Sequence, residues 1–468
     1  MTENAMLIIF TTLIMVAATL IPTYIVTFRK KVTEESWAIA DRSLPLYITI
    51  GTQFASMMGG GFLVAHVTNV FNNGIGVLLY GVLICLPFCF MVFVGPWLRE
   101  NNFTTIPDIV GYYTNQNKVL KLVAAFFSLI VPFGWVTSNI TAFGGIFATI
   151  TGINYNLICL FFAIVSMLFI LPAGLKTVAW TDTIFSFFII IMCVISLVEV
   201  FSLGGGWGTI VANLNAIDPN LLSVNGSLTN NIGLVSASLW VFALFPGGMT
   251  NQIYFQRVCA ADSPKNVNKS LLISAAISMV AFLWVVFMGL SLRSVNPDLG
   301  DSTATAWFLG QLPPVLMALF AAFIFASIMS TMSSGIQTAV VNITRDITPM
   351  IVSDMDDKKR LTLSRVSSAL LMTLAVLMCL IFTDTLTWLT HTYALSAACL
   401  FCPIYLSHIL RKKNMVTTAG VGAGMFAGIA GCVFGIIFET AVSFAAIGVG
   451  VSAVVMLVVC YFTKENKK

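Results

Sequence analysis

Ser327-Ile328-Met329-Ser330-Thr331-Met332-Ser333-Ser334 lies inside the apolar run from Pro314 to Val341. Hydroxyls at this density are unusual in a stretch long enough to cross a membrane, where each polar group needs a partner. At about 100° per residue, Ser327, Ser330, Thr331 and Ser334 fall on one helix face, with Ser333 just beside it. Neutral oxygens without an acid among them suit a hard monovalent cation such as Na⁺ better than a divalent or transition metal. Small hydroxylated residues also let membrane helices pack closely. On this stretch alone both readings stand, and the surrounding chain has to separate them.

The 468 residues are 58% hydrophobic and 9% charged, with mean hydropathy +0.95. That balance describes an all-α polytopic membrane protein forming a single transmembrane domain over 1–468. Thirteen spans are expected, at roughly 6–28, 44–71, 75–98, 119–150, 156–173, 182–203, 232–256, 271–291, 314–342, 366–383, 386–410, 416–438 and 442–462. The first run is too long for a signal h-region and starts at Glu3 rather than at a basic cluster, so it is expected to remain as a helix. Alternating sides gathers every one of the 23 Lys and Arg except Arg293 on one side. The clusters include Arg29-Lys30-Lys31, Arg42, Arg99, Arg257, Arg345 and Lys467-Lys468. The positive-inside rule then puts the N-terminus outside and the C-terminus in the cytoplasm of a cell (inner or plasma) membrane. The expected partners are the lipid bilayer, Na⁺ and a small-molecule solute, with no nucleic acid. Cys399 and Cys402 sit on one apolar helix and read as packing rather than as a metal or redox pair.

Two spans carry glycine runs near mid-membrane, Met58-Gly59-Gly60-Gly61 in the second and Phe245-Pro246-Gly247-Gly248-Met249 in the seventh. Consecutive glycines disfavour continuous helix and free backbone carbonyls. The spans are five apart and cross in opposite senses, as in inverted five-helix repeats with broken first helices around a central site. Repeat one is then 44–203 (spans two to six) and repeat two 232–410 (spans seven to eleven), with 6–28 an extra N-terminal helix and 416–462 two C-terminal helices. A channel would need a continuous polar pore, a sensor an appended signalling domain, and an enzyme a convergent catalytic set. The sequence offers none of these, so no catalytic residue and no enzyme activity are expected.

Ala40-Asp41-Arg42-Ser43, Trp180-Thr181-Asp182, Asn251-Gln252 with Gln256-Arg257, and Ser330-Thr331 with Arg345-Asp346 occur in this order on these spans. Together they resemble the sodium:solute symporter family, whose leucine-transporter-type fold has inverted repeats. The likeness runs over essentially the whole chain and is somewhat nearest the choline- and proline-type branches. Asp41 departs from the family's glycine. The resemblance implies a shared sodium site built from the carbonyls of Ala55, Met58 and Ser327 and the hydroxyls of Ser330 and Thr331. It also implies, in members with a second sodium, ligands at Asp182, Ser330, Ser333 and Ser334. As an alternative, Asp182 is a carboxylate favoured by a helix N-terminus. The expected activity is Na⁺-coupled symport by alternating access, with proton coupling on the same fold as the rival.

Substrate candidates are Met57, Gly60, Phe62, Trp135, Asn139, Trp240, Phe245, Asn251 and His391, all on spans expected around the midplane. No branch's substrate residues carry over intact. His391, beside Thr390, Thr392 and Tyr393, is favoured over His66, which reads as a packing group. Acidic residues are expected outside the span interiors, with Asp182 near the end of span six, and no Lys or Arg at mid-membrane. A desolvated unpaired charge is expensive, so a neutral or zwitterionic solute, amino-acid-like or osmolyte-like, is expected ahead of an organic cation, sugar or carboxylate.

Overall fold

The computed structural model describes residues 3–28, 33–299, 304–352, 355–381, 385–440 and 442–464. Arg29-Lys30-Lys31, Asp384, Lys467 and Lys468 lie outside the described residues. Among those described there is no strand beyond a single parallel bridge between Leu44 and Ala261. The helices that organise the molecule are α1 (Glu3–Phe28), α2 (Leu46–Met57), α3 (His66–Asn73), α4 (Leu78–Met91), α5 (Lys118–Thr151) and α6 (Tyr155–Leu203). They continue with α7 (Leu234–Met249), α8 (Gln252–Ala260), α9 (Pro264–Val295), α10 (Pro314–Asn342), α11 (Asp357–Ile381), α12 (Thr385–Ser396), α13 (Cys402–Leu410), α14 (Thr418–Ile437) and α15 (Phe444–Thr463). Nine helices among the described residues are long and apolar enough to cross a membrane, ten when the bent pair formed by α2 and α3 is one span. Shorter apolar helices cover Met6–Ile21, Ile75–Met91 and Tyr155–Leu171.

α10, the helix that carries the hydroxyls, is the axis of the bundle. The membrane-length window of Pro314–Ile351 is 83% buried, against 28% for Phe444–Thr463 at the periphery. Its surroundings are α1, α2, α5, α6 and α11. Burial on all sides explains why it reads as apolar around its whole circumference apart from the small hydroxyls.

The glycine run in the second span does break the helix. α2 stops at Met57, Met58 leaves helical geometry at φ −80, ψ 47, and the two arms meet at 55°. A Cβ at Gly59 would lie 2.6 Å from Thr331 Oγ1 and 2.8 Å from Asn139 Oδ1, so only glycine permits this approach. The Gly60 N–H, deprived of a helical partner, donates to Asn139 Oδ1 at 2.7 Å.

The seventh span differs from its expectation. α7 runs as helix through Pro246, Gly247 and Gly248, and the interruption falls at Thr250-Asn251, where Asn251 is extended (φ −77, ψ 113). The glycines are used for packing instead. A Cβ at Gly247 would meet the Tyr393 carbonyl at 2.6 Å, and one at Gly248 would meet Pro87 at 2.5 Å. The sixth span also starts earlier than expected. α6 turns at Gly174 (φ 60) and resumes at once, so the span is Gly174–Leu203 and Asp182 lies eight residues, about two turns, inside it.

Candidate ion and solute site

The break in α2 presents its freed carbonyls to α10. Ser327 Oγ donates to the Met58 carbonyl, and Thr331 Oγ1 lies 3.4 Å from the Ala55 carbonyl and 3.2 Å from that of Ser327. Ala55, Met58, Ser327 and Ser330 are all fully buried, and Thr331 is 2% exposed. Five of the oxygens expected around Na⁺ are thus supplied by these two helices. The four around Ala55, Met58, Ser327 and Thr331 converge, and the donor set is neutral and all-oxygen, as a desolvated monovalent cation requires. Ser330 turns the other way, donating to Asp182 Oδ1 at 2.5 Å.

Asp182 is the centre of a second polar cluster. It is fully buried, and its Oδ2 accepts from Thr52 at 2.6 Å, Ser334 at 3.3 Å and Ser56 at 3.5 Å. This corrects the expectation that acidic groups stay at span ends. Arg257 corrects the companion expectation about basic groups. It has no solvent exposure, and its Nη2 donates to Ser334 Oγ at 2.5 Å and Ser56 Oγ at 3.2 Å. Ser333, expected beside Asp182, points away. Its hydroxyl donates to the Ser330 carbonyl at 3.0 Å and lines a small cavity with Thr177, Thr181 and Phe185.

Next to the ion oxygens lies a cavity of about 430 Å³, its open mouth included. Met57, Phe62, Trp135 and Asn139 line it, together with His66, Tyr80, Ser138, Tyr254, Tyr393, Gly59 and Thr331. Gly60 touches it through its N–H on Asn139, and Asn251 stands behind it, donating to Tyr393 Oη at 3.3 Å. The Trp135 indole donates to the same Tyr393 oxygen at 3.1 Å. Three expected substrate residues stand apart. Phe245 packs on Phe90 and Phe401, with ring centroids 5.0 and 6.0 Å away, because its helix phase turns it off the central face. Trp240 and His391 line a second cavity, with Asn69, Asn73 and Asn231, at the end of the bundle away from Arg42. The His391 ring rests on Phe444 at 4.9 Å. His66 instead faces the central cavity, 4% exposed, its ring 4.3 Å from that of Tyr80 and its Nδ1 without a hydrogen-bond partner.

Reading the sequence missed Thr52, Ser56 and Arg257 in the Asp182 cluster, and Tyr80, Ser138, Tyr254 and Tyr393 in the cavity. One usable signal was present: Thr52 and Ser56 are four apart, on one face of the helix that ends at the break. Thr331 belongs both to the oxygens facing the break and to the cavity wall, and Gly59, packed against Thr331 Oγ1, lines the same cavity.

The basic end of the bundle is sealed. Arg345 pairs with Glu34 at 2.6 Å through two parallel bonds and donates to Thr104 at 2.9 Å. Arg42 donates to the carbonyls of Phe103, Cys259 and Asn102, and Arg99 to that of Ala261. Among the described residues, no group of three or more His, Cys, Asp or Glu could hold a transition metal.

A broken helix that offers carbonyls to a hydroxyl-bearing helix, beside a cavity lined by aromatic and polar side chains, defines an ion-coupled membrane carrier. The sequence pattern described as "Sodium:solute symporter family" matches residues 37–431. The high-affinity proline transporter PutP of Bacillus subtilis (strain 168) is 23% identical over 84% of this chain and 85% of its own length. The sodium/pantothenate symporter of Haemophilus influenzae is 27% identical over 50% of this chain and 49% of its own. A substrate-bound, outward-open structure of a Na⁺-coupled sialic acid symporter superimposes with TM-score 0.85 over 97% of both chains at 14% identity. The chain belongs to the sodium:solute symporter family and carries a small organic solute with Na⁺ as the coupling ion.

Proposed function

We propose that the solute is small and neutral or zwitterionic, amino-acid-like or osmolyte-like, and that it is imported by alternating access. The observation that carries this reading is the central cavity. Its wall is aromatic and polar without a formal charge, and it shares Thr331 with the ion oxygens. An uncharged, desolvated wall penalises a free cation or dianion, while tyrosine, serine and amide groups orient a compact dipolar solute. The proline-transporting relatives in Bacillus subtilis and Staphylococcus aureus are in keeping with this class.

In this reading Ala55, Met58, Ser327 and Thr331 hold the coupling Na⁺, and Asp182, Ser330 and Ser334, with the Ser330 hydroxyl already on Asp182, hold a second. Met57, Gly60, Phe62, Trp135, Asn139 and Asn251 serve the solute. The chain crosses the cell membrane thirteen times, as inverted repeats 44–203 and 232–410 flanked by 6–28 and 416–462, with the N-terminus outside. The sealed basic end is then cytoplasmic, and import requires its ion pair to open. One charge moving through about 100 mV contributes about 2.3 kcal/mol, and a tenfold Na⁺ gradient about 1.4 kcal/mol. Together these sustain an accumulation of roughly several hundred-fold per ion.

The experiment is uptake into proteoliposomes of a labelled panel containing proline, other zwitterions, glucose, pantothenate and choline, with Na⁺ or K⁺ outside and pH varied. Na⁺-driven uptake of a zwitterion is expected. Uptake indifferent to replacing Na⁺, or driven by Na⁺ only for a permanent cation or a dianion, would refute the reading.

A further inference from the structure

We propose that Arg257 is a tethered cation that exchanges with the second Na⁺ at Asp182, occupying Ser334 when that ion is away. The inference rests on the reading of Asp182, Ser330 and Ser334 as a second sodium site. The guanidinium is fully buried, yet among the described residues no carboxylate lies within 4.0 Å of it. The ion pairs among the described residues are Lys121 with Asp108 and Arg345 with Glu34. Its charge is balanced at one remove. Nη2 donates to the Ser334 and Ser56 hydroxyls, which stand 2.9 Å apart and both reach Asp182 Oδ2.

Two consequences follow from charge and geometry. Carboxylate and guanidinium together are neutral, so a Na⁺ added beside Asp182 leaves one uncompensated positive charge in a dry interior, where like charges repel strongly. Ser334 Oγ would also have to serve Na⁺ and the guanidinium at once, and its contact with the latter is already 2.5 Å. The ion and the side chain therefore compete for the same oxygens. The guanidinium is also incompletely held where it sits. Nη1 donates to the Ile253 carbonyl at 3.2 Å, but Nε is buried without a partner. A buried arginine serving only structure would be expected to use that donor. Arg257 rides on α8, a nine-residue helix that begins just after the interruption at Thr250-Asn251.

The test uses the purified full-length protein in detergent, with NaCl alone as the probe. Choline chloride holds ionic strength constant, and stabilisation against heat reports binding. Removing the competitor should tighten Na⁺ binding, so Arg257→Gln is expected to lower half-saturating Na⁺ at least fivefold. Arg257→Lys, a shorter cation without the planar fork, should lower it by a smaller factor. It serves as the readout if the glutamine variant does not fold. In an Asp182→Asn background the Arg257 effect should vanish. A Na⁺-responsive wild type with unchanged or weaker Na⁺ binding in both Arg257 variants would overturn the proposal and leave Arg257 a structural counter-charge. An Asp182→Asn variant with an unchanged Na⁺ response would instead remove the second site, and a wild type indifferent to Na⁺ would remove the sodium reading itself.

Discussion

Replacing Thr331 by alanine tests the proposed ion site at the residue that also lines the central cavity. Its Oγ1 lies 3.4 Å from the Ala55 carbonyl and 3.2 Å from that of Ser327, and its side chain also lines the central cavity. Bonds to a charged partner contribute about 1.5–3 kcal/mol, against about 1 kcal/mol for a neutral pair. Loss of one of the four oxygens proposed around Na⁺ should therefore raise half-saturating Na⁺ about 10- to 150-fold. Without Na⁺ the variant should lose only about 1–2 kcal/mol of stability, from one neutral hydrogen bond and a buried methyl group. Thr331→Ser keeps the oxygen and loses only the methyl, about 0.8 kcal/mol, so its Na⁺ response should stay near wild type. The assay is Na⁺-dependent thermal stabilisation together with Na⁺ activation of uptake. Alanine and serine variants with equal half-saturating Na⁺, or an alanine variant within twofold of wild type, would refute the assignment.

Other consequences are equally direct. Asp182→Asn should turn a sigmoidal Na⁺ dependence of uptake towards a hyperbola; a wild type already hyperbolic, with one charge moved per solute, would make Asp182 purely structural. Trp135→Ala removes a cavity wall and the donor to Tyr393, so it should weaken solute binding at least tenfold while changing Na⁺ binding little. His391→Ala, in the separate cavity, should change solute binding less, and the reverse order in a binding titration would move the solute site. Gly59→Ala drives a Cβ into Thr331 and Asn139 and should weaken Na⁺ and solute together, by about 1–3 kcal/mol of overpacking. Retained wild-type affinity for either ligand would count against a shared wall. Glu34→Gln leaves Arg345 without its counter-charge, so the sealed end should open more often and the buried Cys259 thiol should label several-fold faster, read by mass spectrometry.

Much of the molecule is written in local chemistry. A membrane-length apolar run declares itself because the bilayer demands it, and the serine face of α10 is visible because helical phase is a property of spacing alone. The Gly59-Gly60-Gly61 break was legible for the same reason, since consecutive glycines cannot sustain a helix in isolation. Gly247-Gly248 looked equivalent and was not. There Tyr393 and Pro87, distant in sequence, pack against the glycines of a segment that stays helical through Met249.

Charge placement depended still more on tertiary structure. Asp182 and Arg257 look like loop-side residues because a charged group near a span end is ordinarily solvated. Only the convergence of Thr52, Ser56, Ser330 and Ser334 from two other helices supplies the hydrogen bonds that make their burial affordable. The cavity follows the same rule. Trp135 and Asn139 share a face of α5 and could be named from spacing, whereas Tyr80, Tyr254 and Tyr393 join them from three further helices. By itself the sequence determined the membrane, the hydroxyl face and the first break, all consequences of interactions within about two helical turns. Which aromatic rings line the cavity, where the second interruption falls and which charges are buried were decided by contacts between segments distant in the chain, such as Thr52 with Asp182 and Ser56 with Ser334.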